Sequence, residues 1–348
     1  MADRAATIDR FLERAGWADA RRQLLAGDAS FRRYHRLMRG GRRVVLMDAP
    51  APPERLRRAG APLPKEEVRR FVTVARLLRR LGFSAPEVLA EDPTHGLLLL
   101  EDLGDDTYTR LLADGADEAA LYRLAVDLLI ALHRRFDLAR DGAGVPPYDD
   151  RRLLDEAVLL VDWYMPAVFG ETPAAALRQD YLAAWRSVFA TARAVPQALV
   201  LRDFHIDNLM RLEDRAGVAA CGLLDFQDAV IGPISYDLVS LLEDARRHVP
   251  AGLRRRMSRR YLDAFPGLDR DAFQASYAVL GAQRSAKVIG IFTRLWRRDG
   301  KPRYLAHIPR VWRWLEGDLG HPALRRMAAW FDRNLPPERR VVPASERR

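Results

Sequence analysis

Asp203 and Asn208 in LVLRDFHIDNLM, and Asp225 in GLLDFQDA, are polar residues set among apolar ones that otherwise read as buried strands. Buried carboxylates and amides need partners, so such runs ask for a chemical reason. A strand end, a short loop and a return strand would bring Asp203 and Asn208 to one end of a hairpin, with Asp225 arriving beside them. Two carboxylates and one amide oxygen suit a hard cation such as Mg²⁺, which binds one or two carboxylates together with substrate phosphates. One carboxylate is left for proton work. Phosphoryl transfer asks for this set: the protein positions the groups, neutralises phosphate charge through the metal, and offers a carboxylate to the acceptor's proton. Singly, Asp203 reads as a turn residue and Asp225 as a capping acid; their joint spacing carries the catalytic reading.

The elements that must hold these residues follow from periodicity. MADRAATIDRFLERAGW spaces Ile8, Phe11, Leu12 and Ala15 along one helix face, and RQLLAGDASFRRYHRLMRGGRRVVLMDAP reads as a hairpin about Gly40-Gly41. After a Pro-rich loop, KEEVRRFVTVARLLRR sets Val68, Phe71, Val72, Ala75 and Leu78 at helical spacing. EVLAEDPTHGLLLLEDLG then gives two strands around an Asp-Pro turn. The first hundred residues thus read β-β-α-β-β. From Asp106 onward the pattern is helical, broken by one β island that contains LVLRDFHIDNLM, a turn at Glu213-Asp214 and GVAACGLLDFQDA. The expected fold is α+β and bilobal: a sheet lobe over 1–103, a helical lobe with the catalytic hairpin over 104–335, and a frayed charged tail over 336–348. LLLLEDLGD is the crossover, and a cleft between lobes is where ligands are expected.

Composition narrows the class. The chain has 348 residues, 49% hydrophobic and 30% charged, as in ordinary globular proteins. Cys221 is the sole cysteine, so no intrachain disulfide or cysteine metal cluster can form, which fits a reducing cytoplasm. The N-terminal segment carries acids and has no apolar signal-peptide core, and no uncharged run reaches membrane-spanning length. The net charge of +10 invites nucleic acid, but the arginines fall as scattered pairs among acids, so neither a nucleic-acid nor a membrane partner is expected. Lysine occurs only at Lys65, Lys287 and Lys301.

RDFHIDN followed by LLDFQDAVIGPISYDLVSLLED resembles the catalytic loop and metal-binding segment of the aminoglycoside phosphotransferase-like family of small-molecule kinases, which share the protein-kinase-like fold. GDASFRRY and LLLEDLGD occur in the expected order, so the resemblance covers most of the chain. It implies ATP as co-substrate with Mg²⁺, Asp203 as catalytic base, and Asn208 and Asp225 as metal ligands. GDASFRRYHRL, VVLMDAP, LLLEDLGD and RDGKPRYLAHIPRVW further resemble kinases of that family that phosphorylate N-acetylmuramic acid and N-acetylglucosamine at C1 during peptidoglycan recycling. A small sugar and ATP would then be the partners, and a sugar 1-phosphate the product. Other readings are a kinase of another small alcohol, aminoglycoside- or choline-like, and a catalytically silent kinase-like binding protein.

The silent reading arises from one departure: the family's strand lysine, which holds nucleotide phosphates, is replaced by Met47. Counting from the Gly40-Gly41 turn sets Met47 opposite Tyr34 and puts Arg32 and Arg36 on one sheet face. Arg32, close after Ser30 in the turn that stands in for a phosphate loop, is the preferred phosphate contact, with Arg33 as the alternative if the register slips. Glu66 or Glu67 is its helix partner, with Glu67 in the ATP site, although both could be first-turn acids. Glu101 and Leu103 offer backbone groups to adenine. Asp207, where a glycine is common, is a substrate or metal contact. Arg284 and Lys287 either meet an acidic sugar or decorate a helix. His205 reads as a structural loop residue, and Asp237 as fixing a helix start or the catalytic loop.

Overall fold

The computed structural model describes residues 2–27, 32–52 and 63–344, without the side chains of residues 2, 3, 26 and 27. The chain divides into two compact units, residues 1–128 with 206–229, and residues 129–205 with 230–348.

In the first unit, α1 (Ala2–Arg14) precedes β1 (Arg21–Gly27), β2 (Arg33–Arg39) and β3 (Arg42–Asp48), then come α2 (Pro64–Arg80), β4 (Val88–Asp92) and β5 (Leu97–Glu101). These strands form one antiparallel sheet in the order β1-β2-β3-β5-β4. The run before Gly40-Gly41 holds two strands where the sequence reading saw one. Gly40 and Gly41 take φ of 52° and 78°, and Arg39 pairs Arg42 across them, as a tight hairpin turn requires. The register follows, with Tyr34 opposite Met47.

The two sheet faces do different work. Leu37, Val44, Leu46, Leu97 and Leu99 pack against Ile8, Phe11 and Leu12 of α1. Alternation turns Val45 and Leu100 to the other face, where they line a cavity. Pro64 opens α2, a position where its missing N–H costs nothing, and Val68, Phe71, Val72, Ala75 and Leu78 are buried along one stripe.

Along the rest of the chain lie α3 (Tyr108–Ala113), α4 (Glu118–Arg135), α5 (Asp150–Ala157), α6 (Ala175–Ala192), β6 (Gln197–Val200), β7 (Leu209–Arg211), β8 (Cys221–Leu223) and β9 (Val230–Pro233). They are followed by α7 (Tyr236–Leu242), α8 (Ala251–Asp263), α9 (Arg270–Asp299), α10 (Ile308–Leu319) and α11 (Arg325–Asn334). The β island is two ladders rather than one hairpin: β7 pairs β8 in the first unit, and β6 pairs β9 in the second. Helix α9 is the spine of the second unit, with Val279, Leu280, Ala282, Ala286 and Ile289 fully buried against α6 and α10. Trp185 and Trp312 belong to this core.

The tail is not frayed through Val341. Tyr164 donates to the Arg339 and Val341 carbonyls at 2.9 and 2.7 Å, and Arg340 reaches both Glu316 and Asp332 at 3.0 Å. Its guanidinium also lies over Trp312, so charge that reads as solvated is fixed by two carboxylates and a ring. Among the described residues no helix is long and apolar enough to cross a membrane.

Candidate active site

In the first unit a cavity of about 460 Å³ is lined by the sheet face, by the segment that follows β5, and by the β7–β8 hairpin. Apolar walls come from Val45, Leu100, Leu103, Met210, Leu224 and Phe226. Asp207, Asn208 and Asp225 line it as well. The hairpin explains the convergence: Asn208 stands one residue before β7 and Asp225 two after β8, and the Leu224 N–H donates to the Asn208 carbonyl at 2.9 Å. Asp225 adopts φ of 55°, a left-handed conformation uncommon for a residue with a side chain and more often kept at functional positions.

Around Asp225 the electrostatics are specific. Its Oδ1 accepts from Arg32 Nη2 at 3.0 Å and from Gln227 Nε2 at 2.8 Å. Arg32 Nη1 lies 3.8 Å from Glu67 Oε2. Burial pushes Glu67 above its usual range, against the pull of Arg32. The register holds, so Arg33 opens β2 as an exposed residue while Arg32 is buried. Glu66 instead takes the helix-capping role, accepting from the Leu63 N–H at 3.1 Å. Met47 is buried between Tyr34 and Leu98 in the sheet register. Ser30 lies outside the described residues.

Arg36 pins the segment after β5. Its guanidinium meets Asp102 at 2.7 Å, Asp105 at 2.8 Å and the Gly104 carbonyl at 3.1 Å, with Leu103 enclosed between them in the chain. The Glu101 side chain pairs with Arg79 and Arg215, and its N–H donates to Glu87 O. Asp207 accepts from the Thr109 hydroxyl.

Asn208 and Asp225 offer hard oxygen donors to one cavity, which suits Mg²⁺. Among the described residues no three His, Cys, Asp or Glu side chains gather for a metal.

Asp203 belongs to the second unit, in the loop after β6. The loop is fixed from α7: buried Asp237 accepts from the Leu201 N–H at 2.6 Å and the Arg202 N–H at 2.9 Å. Burial pushes Asp237 up to about 7 against those two hydrogen bonds. His205 is buried, 3.4 Å from Arg246. Burial alone would raise Asp203, but Lys287, Arg202, His205 and Arg284 offset it and hold the carboxyl below its usual value. Arg284 and Lys287 are therefore not decoration on a solvent face. Both are buried, Lys287 within 3.4 Å of Glu156 and Arg284 donating to the Glu243 carbonyl at 3.4 Å. Sequence reasoning missed Glu156, the partner of Arg202 and Lys287. Its signal was an acid beside Leu153, Leu154 and Ala157 on the buried stripe of α5.

A small antiparallel sheet with a helical remainder is the architecture of the protein-kinase-like fold. The chain belongs to the phosphotransferase enzyme family, whose model matches residues 21–273. It is 42% identical over 358 residues to the N-acetylmuramate/N-acetylglucosamine kinase of Caulobacter vibrioides, covering 97% of this chain and 98% of that one. The protein of the same name from Pseudomonas aeruginosa is 40% identical over 84% of this chain and 81% of its own. Among solved structures, the GDP complex of wild-type aminoglycoside 2'-phosphotransferase-IIIa aligns with a TM-score of 0.59, covering 90% of this chain and 98% of that one. At 16% identity that likeness speaks to the fold.

Proposed function

We propose that the protein uses Mg²⁺ and ATP to phosphorylate the anomeric C1 hydroxyl of N-acetylmuramic acid and N-acetylglucosamine, releasing a sugar 1-phosphate for peptidoglycan recycling. The observation that carries the kinase part is the cavity in which Asn208 and Asp225 share walls with Leu100, Leu103, Met210 and Phe226. Its apolar surfaces suit a purine, and its oxygens suit a metal-bound phosphate. The amino-sugar part is supported by the names of relatives that match nearly the whole chain.

In this reading the adenine lies against Leu100 and Met210. Leu103 offers backbone groups to it, and Glu101 contributes its carbonyl, since its N–H is committed to Glu87. Asn208 and Asp225 hold the Mg²⁺, which when bound neutralises phosphate charge. Arg32 serves the phosphates in place of the lysine absent from β3, with Ser30 beside it in the sequence and Glu67 orienting the guanidinium. Asp203 accepts the proton of the acceptor hydroxyl. An anomeric hydroxyl is more acidic than an ordinary alcohol, so a carboxylate held ionised is base enough. Asp207 faces the same cavity as the metal ligands and is assigned to substrate. The reaction is placed in the cytoplasm, where the lone Cys221 stays reduced.

The test is incubation with Mg·ATP and either sugar, the product identified by ³¹P NMR. A C1 phosphate is the expected result. Transfer to another hydroxyl, or only to other acceptors, keeps the kinase and discards the anomeric role; ATP binding without transfer on a broad acceptor panel leaves a silent binder.

A further inference from the structure

Arg202 precedes Asp203 and has φ of 70°, left-handed backbone that a residue with a Cβ adopts only when its surroundings enforce it. The backbone is held by Asp237 on its N–H and by the Ser240 hydroxyl on its carbonyl at 3.2 Å. The side chain is held separately. Its guanidinium pairs with Glu156 of α5 and lies 5.8 Å from the centre of the Tyr148 ring.

Glu156 is 9% exposed, yet it gathers charge. It accepts from the Tyr148 hydroxyl and from Gln283 Nε2 at 3.3 Å, and lies 3.4 Å from Lys287 Nζ, in addition to Arg202. Burial would raise its carboxyl, but Lys287 and Arg202 offset that and hold it below its usual value, so it is ionised. A buried ion cluster is a poor device for stability alone, because apolar residues of similar volume do as well. What a carboxylate does here, and a leucine would not, is fix the direction of a guanidinium one residue from Asp203.

We propose that Glu156 is a positioning residue for phosphoryl transfer: by holding the Arg202 side chain it keeps Arg202 left-handed and so aims the Asp203 carboxylate. The proposal rests on Asp203 being the base.

The full chain is assayed with Mg·ATP and N-acetylglucosamine at pH 8. Misplacing a reacting group by about 1 Å costs on the order of 10²-fold in rate, so Glu156→Gln is expected to lower kcat about that much with KM for ATP within about threefold. Glycine needs no clamp to be left-handed, so in an Arg202→Gly background the same substitution is expected to cost less than about threefold. A kcat within about threefold of the parent, an undiminished effect in the Arg202→Gly background, or a loss confined to KM would overturn the proposal. If Glu156→Gln does not fold, Glu156→Asp, which keeps the charge but draws it back from the Arg202 guanidinium, replaces it, with the same outcomes decisive. Asp203→Asn separates the two ideas. Full activity there removes the base assignment, whereas an inactive Asp203→Asn beside a fully active Glu156→Gln removes only the positioning role.

Discussion

Arg32 Nη2 donates to the Asp225 carboxylate at 3.0 Å, joining the start of β2 to the residue that follows the β7–β8 hairpin. On the neighbouring strand β3, Met47 opposite Tyr34 is buried and carries no charge. With Glu67 3.8 Å from the other terminal nitrogen, the guanidinium sits between two carboxylates.

If Arg32 contacts nucleotide phosphates, Arg32→Met removes a charge-assisted interaction worth about 1.5–3 kcal/mol, or about 10–100-fold in kcat/KM for ATP. Arg32→Lys should recover only part, since an ammonium cannot pair bidentately. Steady-state kinetics with varied ATP decide it; unchanged kcat/KM in Arg32→Met would show that the pair is structural.

Much of this was legible in the sequence because the signals were local. The Gly40-Gly41 turn fixed the β2–β3 register, and Val68, Phe71 and Ala75 drew the buried face of α2. What was not legible depended on distant partners. Nothing near Glu156 in sequence names Arg202 or Lys287, and a terminal arginine such as Arg340 reads as solvated until Glu316, Asp332 and Trp312 surround it. The β island reads as one hairpin because apolar alternation does not say which strands pair; in the structure β6 pairs β9 and β7 pairs β8.

The charges around Asp203 predict a pH profile. Burial raises it, and Lys287, Arg202, His205 and Arg284 together bring it below its ordinary value of 3.8. If Asp203 is the base it acts when ionised, so it should impose no loss of kcat between about pH 5 and 8, its acid limb falling below about 4. Lys287→Met removes the leading cation and should move that limb upward. An acid limb at the same pH in both proteins would mean that Lys287 does not act on Asp203.

Stability should carry its own pH dependence, through Glu243 and Asp318. Burial pushes Glu243 up to about 6, against hydrogen bonds from Tyr277 and Asp318 and the charges of Arg254 and Arg284. Burial and the neighbouring Glu243 push Asp318 well above its ordinary value, against Arg254. Both carboxyls are raised in the folded state, so the native chain binds protons that the unfolded chain has released. The stabilisation is complete below about pH 4 and is lost as pH rises through about 6. Asp318→Asn should therefore flatten the fall in urea midpoint between pH 5 and 7.5. An equal fall in parent and variant would exclude the pair as its source.

Helix glycines give a last prediction in which sequence propensity and packing disagree. By propensity, glycine to alanine inside a helix is favourable by about 1 kcal/mol, and α9 and α10 each contain such a glycine. At Gly317 of α10 a Cβ would meet nothing within 4 Å, so Gly317→Ala should raise the urea midpoint. At Gly290 of α9 the Cβ would fall 2.3 Å from the Leu159 carbonyl carbon and 2.5 Å from its oxygen. Those are backbone atoms of the turn that follows α5, and they cannot rotate away as a side chain does. Overpacking of this kind costs about 1–3 kcal/mol or more, which outweighs the propensity gain. Gly290→Ala should lower the midpoint, with the two variants moving in opposite directions from the parent. A rise in both would mean that α9 and the Leu159 backbone can separate without loss, and that this close approach does not hold the second unit together.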